Sequence, residues 1–200
     1  MFSLFPRAID VTCSRQVHTL VARSVSKAIP TTRPYELKFK QLTVSGCPVA
    51  ELQSLIPSVS EIIKLSFNVN FTISDLKIFD YLFFCYLHFL DDTQPAEKNP
   101  FVVGCLTIRQ NYIWNFGVHP HFRERKIGTK LLNNVLIHLN SQQRPCYLYV
   151  LQENTLAASF YLKNGFEYVK THKNDYVDNP SSVHSERLMV RYPMALKSGL

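Results

Sequence analysis

Residues 123–132 read Arg-Glu-Arg-Lys-Ile-Gly-Thr-Lys-Leu-Leu and follow directly on the strand-like stretch Tyr112–Val118. They open an apolar-periodic segment that reads as an amphipathic helix to about Asn140. A basic loop between a strand that stops and a helix that starts can hold an anion. The first helical amides lack intrahelical partners, and the helix dipole adds partial positive charge at that end. Backbone N–H groups turned the same way in such a loop suit a pyrophosphate.

The elements that must position this loop follow from periodicity. The folded body is expected to start after Pro30–Pro34, where Glu36-Leu-Lys-Phe-Lys-Gln-Leu42 alternates as a first strand. Pro57–Phe67 has helical spacing, with Pro57 tolerated in the first turn, and Thr72 or Ser74 can cap a second short helix ending near Leu82. Phe83–Leu90 and Phe101–Ile108 read as strands joined by the polar turn 91–100, and Arg109-Gln-Asn111 as a tight connection into Tyr112–Val118. A strand at Tyr147–Val150, a helix before Gly165 and two closing strands, the last from Glu186 to Tyr192, complete the order. Strands alternating with helices in this way predict an α/β fold with a mixed sheet.

The bulk composition excludes several classes. A chain of 200 residues, 46% apolar, fits one domain with an adequate core. Its net charge is +7, but the first 34 residues hold Arg7, Arg15, Arg23, Lys27 and Arg33 against Asp10 alone. The remainder has 17 basic and 14 acidic residues, an excess of three, so no nucleic-acid partner is expected. Residues 1–34 read as a flexible segment with the composition of a mitochondrial targeting peptide, and 193–200 as a tail. Five cysteines without a C-x-x-C pair read as reduced thiols of an intracellular, cytoplasmic protein, with mitochondrial import as the other destination, and no metal site is expected. The apolar run Ile78–Leu90 contains Asp80 and His88 and falls short of the ~20 residues of a membrane span.

Residues 123–128 resemble the acetyl-CoA signature of the GNAT acetyltransferase superfamily, Arg/Gln-x-x-Gly-x-Gly/Ala, with Arg123 first, Gly128 last and Lys126 in place of the middle glycine. Tyr147-Leu-Tyr-Val150, Asn154 and Phe160-Tyr161-Leu-Lys-Asn-Gly-Phe166 resemble the second signature at the family spacing. The resemblance extends over 35–192 and implies a GNAT fold, a mixed central sheet with helices on both faces. Within the superfamily the N-terminal acetyltransferases of the Golgi-associated and methionine-dependent types are most similar. Phe67-Asn-Val-Asn-Phe71 resembles their peptide-entrance loop, Tyr112-Ile-Trp-Asn-Phe-Gly-Val118 their tyrosine-bearing strand, and Lys173-Asn-Asp-Tyr176 their late hairpin.

What the resemblance implies is acetyl transfer from acetyl-CoA to the α-amine of protein or peptide N-termini. Its two proton-handling positions fall on Tyr112 and Tyr149, the latter where relatives carry histidine. A phenol of pKa near ~10 is a weaker base than an imidazole near ~6.5. Cofactor contacts are assigned to Phe116, Gly117, Val118, the run Arg123, Glu124, Arg125, Lys126, Ile127, Gly128 and Thr129, and Asn154, Tyr161 and Asn164. Tyr161 would also protonate the leaving thiolate. The peptide would be met by Phe67, Val69, Phe71, Trp114 and Tyr176, an apolar mouth suited to Met or another hydrophobic first residue. Trp114 is expected on one strand face with Tyr112 and Phe116, and His119 and His121 as solvated loop residues. An ordinary backbone at Lys126 would leave its ammonium as added charge, and a glycine-like one would carry strain.

Two alternatives remain open at this point: a GNAT enzyme acting on lysine or a small-molecule amine, and an acyl-CoA-binding or partner-binding pseudoenzyme, the second motivated by Lys126 and Tyr149. An auxiliary subunit is compatible with either enzymatic reading.

Overall fold

A computed structural model of the chain describes residues 34–90, 100–174 and 184–193. Strand β1 (Tyr35–Thr43) leads into helices α1 (Val49–Phe67) and α2 (Ile73–Leu76), and then to the strands β2 (Tyr81–Phe89), β3 (Val102–Arg109) and β4 (Tyr112–Val118). Helix α3 (Ile127–Ser141), β5 (Cys146–Leu151), α4 (Thr155–Lys163), β6 (Glu167–Asn174) and β7 (His184–Arg191) follow. The strands form one sheet in the order β1-β2-β3-β4-β5-β7-β6, antiparallel throughout except where β4 meets β5. The expected element order and mixed sheet are therefore present. The bounding segment 1–33, the turn 91–99, Tyr176 with the rest of 175–183 and the tail from 194 lie outside the described residues.

Helices cover both faces. On one, Ile127, Leu131, Leu132 and Val135 of α3 pack against Phe83, Leu106, Ile108 and Leu148. On the other, Leu52, Leu55, Val59, Ile62 and Ile63 of α1 pack against Leu42, Leu82, Phe84 and Cys105. Each buried set recurs at the three- and four-residue spacing that aligns one helix stripe. Cys85, Cys105 and Cys146 are buried on strands, as expected of core thiols.

Two boundaries differ from the sequence expectation. Helix α1 starts eight residues before Pro57, with Pro48 at its N-cap, so Pro57 is mid-helix. Pro57 is exposed, and the hydrogen bond it cannot donate is lost on the solvent side, where water can serve the Gln53 carbonyl. Helix α2 stops at Leu76 rather than near Leu82. Thr72 caps it through the Asp75 amide, and the chain then enters β2, where Tyr81–Phe89 pairs with both β1 and β3. Two-sided sheet pairing outcompetes continued helix there.

Candidate active site

Strands β4 and β5 pair at only two positions, Tyr112 with Tyr147 and Ile113 with Leu148. Beyond Ile113 they part, and the rest of β4 lines an opening. A cavity of about 440 Å³ lies there, between Phe116–Val118, the first turn of α3, and Ala157, Phe160 and Tyr161 of α4. Its floor is aromatic: the Phe116 ring lies 5.7 Å from Phe160 and 6.3 Å from Tyr161, and Tyr161 is 5.5 Å from Phe166. Burial pushes the half-buried Tyr161 phenol well up, with nearby Cys146 adding, so its proton is retained.

The basic loop forms the cavity rim. The short turn Pro120–Phe122 anchors it through the buried Phe122 ring. Arg123 Nε donates to the Val118 carbonyl at 3.3 Å. Glu124 and Lys126 both have left-handed backbones, at φ 64° and 59°. Left-handed residues set among right-handed or extended ones turn successive N–H groups toward one concavity. Lys126 is the N-cap of α3 and its side chain does not cap, so the first amides at Ile127–Thr129 are left for another acceptor. The two readings of Lys126 are thereby decided: its backbone is glycine-like, and a side chain there carries the strain of that conformation. Gly128 borders the cavity, where an added Cβ would make ordinary contacts at 3.5 Å to Phe116 and 3.8 Å to Phe160 and Val118.

Of the residues assigned to the cofactor from sequence, Phe116, Gly117, Val118, Arg123, Glu124, Lys126, Ile127, Gly128, Thr129 and Tyr161 meet at this cavity. Arg125 does not line it; its Nη1 donates to Tyr35 Oη at 2.6 Å and its guanidinium lies 5.2 Å from the Phe122 ring, tying the loop to β1. Asn154 caps α4 by accepting the Ala157 N–H at 3.1 Å, and Asn164 Nδ2 donates to the Phe160 carbonyl at 2.7 Å. Both set the helix ends rather than the cavity wall. Phe122 and Ala157, which no motif marks, and Phe160, the first residue of the Phe160–Phe166 part of the second signature, complete the lining.

The expected shared face of Tyr112, Trp114 and Phe116 is corrected by a bulge. Thr107 pairs with Asn115 and Ile108 with Ile113, which leaves Trp114 as an extra residue in β4. Phe116 and Val118 consequently pack with the α3-side core, whereas Trp114 packs with the α1-side core. Tyr112 alternates with Ile113, which belongs to the α3 side, so it shares the α1 side with Trp114. Gly117 permits this arrangement: a Cβ there would lie 2.6 Å from Ser66 Oγ and 2.7 Å from Ile62 Cγ2 of α1.

On that face three phenols stack. The Tyr112 ring lies 5.1 Å from Tyr147 and 6.3 Å from Tyr149. Burial raises the Tyr149 pKa, and Tyr112 and the buried Glu186 raise it further. Burial raises Tyr147 likewise. Glu186, opposite Leu151 on β7, carries no sequence pattern that marks it for this site. Beside the tyrosines stands an apolar wall: Phe71 stacks on Phe79 at 6.3 Å, and Phe79 meets Trp114 edge-on at 5.9 Å. Phe67 and Val69 pack half-buried against the same core.

His121 is exposed, as expected, but His119 is not a solvated loop residue. It is 7% exposed, packs against Phe101 and Phe122, and accepts the His121 N–H at 3.4 Å on Nδ1. Burial lowers its pKa, and His121 and Arg123 add to the effect. Among the described residues no grouping of His, Cys, Asp and Glu could hold a metal ion.

A family model described as acetyltransferase (GNAT) domain matches residues 93–168. N-alpha-acetyltransferase 50 of Danio rerio is 36% identical over 115 residues, which cover 52% of this chain and 68% of that protein. The chain belongs to the GNAT acetyltransferase family. Solved structures agree on the fold. The ribosomal-protein-S18-alanine N-acetyltransferase from Escherichia coli superposes with a TM-score of 0.56 at 14% identity, over 79% of this chain and 94% of that one. Arabidopsis thaliana NAA60 in complex with a bisubstrate analogue gives 0.55 at 18%, over 78% and 98%. Arabidopsis thaliana NAA50 in complex with the bisubstrate analogue CoA-Ac-MVNAL gives 0.54 at 22%, over 78% and 97%. This GNAT protein is thus an N-acetyltransferase with acetyl-CoA as its acyl donor. No helix among the described residues is long and apolar enough to cross a membrane.

Proposed function

We propose that this GNAT enzyme acetylates the α-amine of protein N-termini, favouring Met or another apolar first residue. The observation that carries the reading is the stack of Tyr112, Tyr147 and Tyr149 beside an apolar wall, with the pKa of both β5 tyrosines raised. Phenols that hold their protons are weak bases, so the site suits an amine that deprotonates readily. At pH 7.5 about a third of an α-amine of pKa ~7.7–8.0 is neutral, against about one part in a thousand of a lysine amine near ~10.4. The advantage of the α-amine is a few hundredfold before any contact is made.

The residues at the cavity fit the donor. The pyrophosphate would lie against the left-handed turn at Glu124–Lys126 and the amides of Ile127–Thr129, and the thiol arm along Phe116–Val118. Acetyl-CoA supplies the thioester carbonyl that the amine attacks. Tyr112 Oη, on the other face of the parting strands, hydrogen-bonds the water that carries the amine proton away to solvent, and Tyr149 helps to orient that water. Tyr161 keeps its phenolic proton on Oη at the opposite wall, where it is a hydrogen-bond donor toward negative charge that develops in the cavity. Holding the two reactants on either side of one opening supplies most of the rate, as proximity and orientation do in ternary complexes. Phe71, Phe79 and Trp114 would take up an apolar first side chain.

The names of N-alpha-acetyltransferase 50 and of the complex with CoA-Ac-MVNAL support this reading. The test is mass-spectrometric detection of transfer by the full chain to peptides with free or blocked N-termini. Transfer to free N-termini beginning with Met or Leu, and not to blocked lysine-bearing peptides, is expected. Transfer confined to lysine side chains, or equal for acidic and hydrophobic first residues, would overturn the reading or its first-residue preference respectively.

A further inference from the structure

We infer that Arg109 is a specificity-determining residue that favours peptide substrates with a carboxylate at the second or third position. This rests on the reading of the Tyr112 face as the peptide site. Arg109 ends β3 and is the cross-strand partner of Tyr112, so the two side chains leave the sheet on the same face. Its guanidinium carbon lies 5.9 Å from the centre of the Trp114 ring. The cation therefore sits at the edge of the Phe71–Phe79–Trp114 wall that would receive the first side chain.

The hairpin that carries Arg109 is fastened on both sides. Gln110 has φ 58° and donates its N–H to Asp80 Oδ2, and the Asp80 N–H donates to the Ile108 carbonyl at 2.8 Å. On the other side the Asn111 carbonyl accepts the Tyr147 N–H at 2.9 Å, and Asn111 Nδ2 donates to the Pro145 carbonyl at 2.9 Å. Such a support fixes the point and direction at which the Arg109 side chain leaves the sheet, which lowers part of the ordering cost of binding.

No carboxylate among the described residues lies within ion-pair distance of Arg109; the described pairs are Lys38–Glu36 and Lys40–Glu51. Asp80, which lies beside this turn just ahead of β2, accepts the Gln110 N–H. A cation–π contact with an indole uses none of the N–H groups of a guanidinium, which stay available to bind a carboxylate by two parallel hydrogen bonds. An extended peptide advances about 3.3 Å per residue. With its amine at Tyr112 and its first side chain on the wall, the next one or two residues reach the neighbouring strand end, where Arg109 stands.

The experiment measures kcat/KM for the full chain with acetyl-CoA and Met-initiated peptides bearing Glu, Gln or Lys at position 2 or 3. Wild-type enzyme should favour Glu over Lys by about fivefold at one of these positions, mainly through KM and less so at high salt. Arg109→Gln should remove the preference, Arg109→Lys should restore part of it, and Arg109→Glu should invert it. The Gln variant decides the matter if the Glu variant does not fold. A Glu-to-Lys ratio unchanged in Arg109→Gln would overturn this inference alone. Failure of the wild-type enzyme to acetylate any free N-terminus would overturn the proposed function and this inference with it.

Discussion

The Tyr149 ring stacks on the Tyr112 ring with centroids 6.3 Å apart and planes 11° from parallel, although hydrogen bonding between their strands ends at Ile113 and Leu148. The two phenols thus span the point where the sheet opens toward the cavity. Where the strands cease to pair, side chains of β4 alternate between two compartments: Phe116 and Val118 toward the cavity, Tyr112 and Trp114 toward the opposite face. A donor and an acceptor could approach one gap from two sides without competing for space.

Tyr112→Phe should keep the ring stack and lose the hydroxyl. The expected result is a fall in kcat of about 10²-fold, in the range for loss of a positioned proton-handling group, with little change in KM for acetyl-CoA. Thermal unfolding should move by less than a few degrees. Steady-state kinetics beside a melting curve checks both, and a variant with full kcat would remove Tyr112 from the chemistry.

Two glycines should separate stability from function. At Gly117 a methyl group would meet Ser66 Oγ at 2.6 Å and Ile62 Cγ2 at 2.7 Å, so Gly117→Ala must push α1 away from β4. Overpacking of this kind costs about 1–3 kcal/mol. At Gly128 the same methyl makes ordinary contacts but stands at the cavity wall. Gly128→Ala should therefore melt like wild type while KM for acetyl-CoA rises several-fold, and Gly117→Ala should show the reverse order of effects in denaturant titration.

Lys126 sits at φ 59° as the N-cap of α3, where a side chain costs about 1 kcal/mol relative to glycine. Lys126→Gly should raise Tm by about 2–4 °C for a chain of this size. The same change removes one cation from the rim of an anion site. Affinity for CoA should fall about threefold, with a weaker salt dependence, as calorimetric titration at two ionic strengths would show. A rise in Tm without loss of affinity would mean that the ammonium does not reach the ligand.

Much of this architecture is legible in local sequence because local signals and tertiary packing agree. Tyr112–Val118 is bounded by a turn before it and a basic loop after it, and β4 has those same limits. The start of α1 is illegible because Pro57 and Pro48 give the same punctuation, and it is the packing of Leu52 and Leu55 against the sheet that carries the helix back to Pro48. Trp114 defeats a period-two reading because a bulge is defined by the partner strand, here Thr107 and Ile108 of β3. His119 is buried by Phe101 and Phe122, one of them eighteen residues away, which no window around the histidine contains. Phe79 and Glu186 come beside the tyrosines through packing and pairing of distant segments, Arg109 stands across a tight hairpin from Tyr112, and none belongs to a motif.

The three buried thiols make alkaline pH a probe of the core. Burial pushes Cys85, Cys105 and Cys146 up to about 12 from an ordinary 9.0. A thiol raised on folding is protonated in both states below its unfolded pKa, so the folding advantage is complete there. Above pH 9.0 the unfolded chain ionises first and binds fewer protons than the native state, so stability must fall as pH rises toward about 12. Each thiol contributes a slope on the order of 1.4 kcal/mol per pH unit across that window. Urea titrations at pH 8, 9.5 and 10.5 should show this decline, and Cys105→Ala, which removes one ionisable group from the unfolded chain, should flatten it by about one thiol's share while lowering stability at pH 8 by the cavity it leaves. An unaltered slope in that variant would mean that Cys105 ionises alike in both states.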